Sequence, residues 1–148
     1  MKPEYSRAFE WVLSQTPWWD LIDELGWGTA TTDYNQIRDD LISRLSLDEA
    51  VEFRRFIDRA MNLLYREITD WEEYDDTPTV PCSCDSFSDL RSHVVGLGKK
   101  EFSSVMKNPL LAYNRSMAKY GTKEGYEESF LYAIPYHTDY PKKVGTDE

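Results

Sequence analysis

SLDEAVEFRRFIDRAMNLLYREITDWEEY, residues 46–74, decides the fold. Ser46 is a preferred N-cap, and Glu49 three residues later completes a capping box. Asp48 and Glu49 place negative charge in the first turn, where the helix dipole favours it. Apolar residues then recur at helical spacing: Ala50, Phe53, Ile57, Ala60, Leu64, Ile68 and Trp71. Phe56, Met61 and Leu63 widen this stripe beyond a narrow coiled-coil seam, as in a helix packed into a globular core. No proline or glycine interrupts the pattern before Thr77-Pro78. One helix of roughly 40 Å follows, at 1.5 Å per residue.

The flanking sequence breaks into shorter helices. Residues 3–15 carry Pro3 in a first turn, with Tyr5, Ala8, Phe9, Val12 and Leu13 on one face. Thr16 is the expected N-cap of a second helix ending at Gly26. Trp27 to Thr31 then reads as a linker, and Thr32 or Asp33 caps a third helix over 34–45. Beyond the long helix, two prolines mark a loop over 75–84, and Asp85 or Ser86 is expected to cap a helix over 87–97. Helices over 99–107 and 110–119 follow, and 124–134 suits a helix or a strand. The fold expected is all-α: a single compact domain over 1–148, organised on the 46–74 helix. It has an N-terminal helical extension (1–16) and a partly flexible tail (135–148).

The chain has 27 acidic and 17 basic side chains, a net charge of −10. The first 98 residues hold 20 acidic and 9 basic side chains, and the last 50 hold 7 and 8. Nucleic-acid binding depends on Lys and Arg neutralising phosphate, so this balance disfavours it and points to a basic partner. No run of about 18 apolar residues predicts a membrane span. The start of the chain lacks the apolar core of a signal peptide. The only cysteines, Cys82 and Cys84, are too close for an ordinary structural bridge, which suits a reducing cytoplasm.

The run from Leu41 to Leu110 resembles the bacterial family catalogued as domain of unknown function 4240. The likeness is carried by LISRLSLDEAVEF at the start of the long helix, and by LLYREI through DWEEY at its end. CSCDSFSDLRSHVVGLGKKEF, closed by NPLL, carries the rest. Cys82, Ser83, Asp85, Phe87, Leu90-Arg91, Gly98 and Pro109-Leu110 occupy the family's motif positions. Trp18-Trp19-x-Leu21-Ile22 resembles its opening. The match spans residues 18–112. Cys84 stands where an acidic residue is usual, and Leu90 replaces Phe. The resemblance implies a helical fold of bacterial or phage-type origin and supplies no activity.

Asp70, Trp71, Glu72, Glu73, Tyr74, Asp75 and Asp76 are the leading candidate site. Carboxylates crowded at a helix C-terminus oppose the dipole, so stability does not explain them. Charge for steering beside rings for anchoring suits a protein interface. Trp18, Trp27, Tyr132, Tyr136 and Tyr140 are expected to add exposed aromatic surface.

A second candidate is a ligand pocket near Cys84, Asp85, Arg91 and His93, with His93 available for acid–base work beside a cysteine or carboxylate. A metal is not expected, because Cys-x-Cys is not structural zinc spacing. Arg55, Arg59 and Arg66, with Asn62 among them, share a face suited either to anions or to solvent. Glu67 is expected at the edge of the stripe, paired with an Arg. Glycine-rich phosphate loops, zinc-protease helices and nucleophile elbows are missing from the sequence.

Three functions fit these features. The leading one is a non-enzymatic binding module, like a small immunity or inhibitor protein, engaging a basic partner through its acidic-aromatic surface. The others are a small-ligand protein or enzyme using the Cys84–His93 region, and a self-associating subunit using the Trp-rich N-terminus. No catalytic residue or cofactor is assigned.

Overall fold

The computed structural model describes residues 1–28, 33–80, 84–120 and 130–140. Among them the chain forms seven α-helices and no strand. These are α1 (Pro3–Leu13), α2 (Thr16–Leu25), α3 (Tyr34–Arg44), α4 (Leu47–Glu72), α5 (Cys84–Gly96), α6 (Lys99–Lys107) and α7 (Leu110–Tyr120). Two 3-10 turns, Phe130–Ala133 and His137–Asp139, follow. The all-α expectation is met.

The long helix forms where its cap and stripe require. The Ser46 side chain accepts the Glu49 backbone N–H at 3.2 Å, and the Ser46 N–H donates to Glu49 Oε1 at 2.9 Å. The Ser46 backbone N–H, helped by the nearby Ser46 hydroxyl, holds the Glu49 carboxyl below its ordinary pKa. Ala50, Phe53, Phe56, Ile57, Ala60, Met61, Leu63, Leu64 and Ile68 are all buried. A stripe this wide has neighbours around much of its circumference: α1, α5 and α6 pack on α4. Trp19 of α2 meets Phe56 edge-on at 5.0 Å and Phe102 of α6 at 5.5 Å. Its buried indole N–H donates to the Val12 carbonyl at 2.8 Å, so the ring enters the core with its polar atom satisfied.

Three local expectations are corrected. Thr16 lies inside the first turn of α2 rather than capping it; Gln15 holds the cap position without a side-chain bond, and Pro17 fills the first turn. Helix α5 begins at Cys84, ahead of the expected cap at Asp85 or Ser86. Trp27 is buried rather than part of an exposed linker: only 8% of it is accessible. Gly26 (φ 66°) ends α2 in the left-handed region, and Gly28 (φ 88°) adopts it again. Trp27, between them, packs at 5.1 Å from Phe130. Of the expected 124–134 element, residues 130–133 form a 3-10 turn and 124–129 lie outside the described residues.

The first part of the expected tail is anchored. Ile134 and Pro135 are buried, and Arg54 of α4 donates to the Ile134 carbonyl at 3.2 Å while covering the Tyr136 ring at 4.0 Å. Residues 141–148 lie outside the described residues. No helix among those described is long and apolar enough to cross a membrane.

Candidate functional site

The acidic-aromatic stretch at the end of α4 divides into a held half and an open half. Asp70 accepts the Tyr5 hydroxyl at 2.8 Å and pairs with Lys2 at 3.2 Å. The Tyr5 bond and the Lys2 ammonium hold its carboxyl below the ordinary pKa, against the burial that pushes it up. Trp71 is half-buried, its ring 6.5 Å from Tyr113. Glu72 Oε1 accepts the Val80 N–H at 3.1 Å and so closes the loop back onto α4. These three residues therefore have structural work to do.

Glu73, Tyr74, Asp75 and Asp76 are exposed. Tyr74 is 72% accessible, the most open of the large apolar side chains among the described residues. Among the described residues, Glu73, Asp75 and Asp76 enter no ion pair. The last turn of α4 contains no basic residue to offset its dipole. Asp76 sits in the left-handed region at φ 62°, a conformation Asp tolerates better than most residues, and this turns the chain back after Tyr74.

A cleft of about 680 Å³ opens beside this half. Trp71 and Tyr74 line it together with Lys2, Glu67, Lys107 and Pro109. Glu67 is buried, and its partner is the Met1 ammonium at 3.2 Å rather than the expected Arg. Lys2, Lys107 and Pro109 had no site signal in the sequence. They arrive here because α1 and the α6–α7 junction pack beside the end of α4.

The Cys84–His93 region is arranged differently from a convergent site. Trp27 Nε1 donates to His93 Nδ1 at 3.1 Å, which makes Nδ1 an acceptor and leaves the ring proton on Nε2. Arg91 lies two residues away, about 200° around the helix. It donates to the Met61 carbonyl at 3.2 Å and covers the Phe87 ring at 4.8 Å. His93 thus joins α5 to Trp27, and Arg91 joins α5 to α4. Asp85 is exposed at the start of α5. Cys82 and the Cys84 side chain lie outside what the structure describes. Among the described residues no three His, Cys, Asp or Glu side chains gather as a metal site would need.

The aromatic residues expected at the surface also divide. Tyr132 and Tyr136 are exposed, Trp18 and Tyr140 are half-buried, and Trp27 is in the core. Of the arginine strip, Arg55 pairs with Glu52 at 2.9 Å. Arg59 lies 4.5 Å over the Trp11 ring, and Arg66 lies 5.7 Å over the Tyr5 ring.

The family model described as "Protein of unknown function (DUF4240)" matches residues 13–135, extending the 18–112 resemblance at both ends. No curated protein and no solved structure matches the chain.

Proposed function

The chain belongs to the DUF4240 family of proteins of unknown function, and from that premise we propose that it is a non-enzymatic protein-binding module for a basic partner segment. Its contact surface is the open half of the α4 end: Glu73, Tyr74, Asp75 and Asp76. The observation that carries this reading is the uncompensated charge there. Three exposed carboxylates without ion-pair partners among the described residues flank a 72%-accessible tyrosine, at the negative end of a 26-residue helix. That arrangement costs stability in the free protein and gains it when Lys or Arg side chains arrive. Tyr74 supplies a large, stiff contact surface, and the adjoining cleft has room for a partner side chain. The reading is of an immunity- or inhibitor-like protein, one domain, working in a reducing cytoplasm. The continuous buried core and the cysteine spacing are consistent with the last two points.

The test compares wild-type protein with Y74A and D75K/D76K as baits in lysate at low and high salt. The basic proteins captured are then purified and titrated against each bait. Glu72 stays intact in every variant because it holds the Val80 N–H. The expected result is one basic partner that is lost at high salt and bound at least tenfold more weakly by both variants. A partner bound equally well by all three baits overturns the proposal.

A further inference from the structure

We propose that the groove between α1 and α4 binds a small ligand bearing phosphate or carboxylate groups, held by Arg59 and Arg66 with Asn62 between them. The groove encloses about 310 Å³, the lower end of the range for small-molecule sites. Arg59, Asn62 and Arg66 succeed one another at spacings of three and four, so they share one helix face. The two arginines stand about 10 Å apart along the axis.

Glu4 of α1 also lines the groove, so the site offers two guanidiniums against one carboxylate in a chain with ten excess acidic groups. Arg59 has Arg55 and Phe56 one turn before it and Asn62 and Leu63 one turn after, so its own helix offers it no carboxylate. Arg66 has Asp70 one turn on and helps to hold that carboxyl below its ordinary pKa, but the direct contacts of Asp70 are to Tyr5 and Lys2. Neither arginine forms an ion pair among the described residues.

Both guanidiniums are held from beneath instead. Trp11 and Tyr5 of α1 place a ring under each, at 4.5 and 5.7 Å. A guanidinium lying over a ring keeps N–H donors available for an oxyanion, and the contact restricts its orientation, more closely at Arg59 than at Arg66. The Asn62 amide adds a donor and an acceptor between the two forks. Tyr5 also donates to Asp70, which lines the acidic cleft, but neither arginine belongs to the open acidic turn, so the variants that test the two sites are distinct.

The experiment titrates isotope-labelled full-length protein with sodium tripolyphosphate and with the long-chain dicarboxylate suberate, following the arginine Nε–H resonances. Sodium chloride at matched ionic strength is the control. Saturable shifts at Arg59 and Arg66 are expected with at least one probe, and the tighter probe names phosphate or carboxylate as the source. R59Q and R66Q should each weaken binding about tenfold. R59K should weaken it too, because an ammonium lacks the planar fork. R44Q, at a distant surface arginine, should leave it unchanged. Shifts reproduced by sodium chloride, or saturation unaltered in R59Q and R66Q, would overturn the proposal.

Discussion

Replacing Gly96 with alanine should destabilise this protein, although the same change in most helices does the opposite. Gly96 is buried at the end of α5, where it meets Trp27 and Phe130. Alanine is favoured over glycine in a helix by up to about 1 kcal/mol. Here, however, a Cβ would stand 2.7 Å from Trp27 Cδ1 and 2.8 Å from Phe130 Cγ. Carbon atoms pack at about 3.5–4.0 Å, so two buried rings must retreat by most of an ångström.

The rings are 5.1 Å apart and tilted against each other, so neither moves independently. Displacing Trp27 also strains its 3.1 Å bond to His93. Overpacking of this kind costs about 1–3 kcal/mol, and the lost hydrogen bond adds about 1. After the propensity gain, G96A should be less stable by about 2 kcal/mol. For a chain of this size that lowers Tm by about 4–8 °C. Urea unfolding, followed in parallel by tryptophan fluorescence and circular dichroism, measures it; the midpoint should fall with the slope unchanged. A G96A protein as stable as wild type, or more so, would refute the placement of Trp27 against α5.

Three further outcomes are expected. F53A, which empties a fully buried position on α4, should cost about 3–5 kcal/mol, enough to leave a marginally stable fold partly open at 37 °C, as hydrogen exchange would show. Asp70 and Glu49 both have folded pKa values below their ordinary ones, so their stabilisation is complete above about pH 4 and is lost as pH falls through the folded values. D70N and E49Q should therefore be less stable at neutral pH and flatten the acid limb of the stability profile. Neutralising the open acidic turn with E73Q/D75N/D76N should raise Tm by about 1–3 °C at low salt while weakening partner binding, since those carboxylates oppose the helix dipole.

Where structure is set by near neighbours in the chain, the sequence was enough to read it. The capping box at Ser46 involves residues three apart, and the α4 stripe is a periodicity, so both are visible before any fold is known. Trp27 is the opposite case. Two glycines around a tryptophan read as an exposed linker, yet its burial is decided by His93 and Phe130, far along the chain. Glu67 showed the same blindness: expected at the edge of the stripe beside an arginine, it is buried and pairs with the Met1 ammonium. The acidic stretch stood out because its charge opposes a helix dipole. Its division into held and open halves depends on Tyr5, Lys2 and Val80, contacts that no local pattern announces. Histidine and arginine on α5 suggested chemistry by residue type alone, whereas geometry gives each a packing partner in a different direction.

The most direct test of the partner-binding claim places a photo-crosslinking phenylalanine analogue at Tyr74, with a matched control at Tyr65, an exposed tyrosine on the body of α4. Irradiation of each protein in lysate, followed by mass spectrometry of the adducts, locates the segment that touches the site. A Lys- or Arg-rich peptide should crosslink from position 74, be absent from position 65 and be lost at high salt. Adducts that form equally from both positions, or only from position 65, would contradict it.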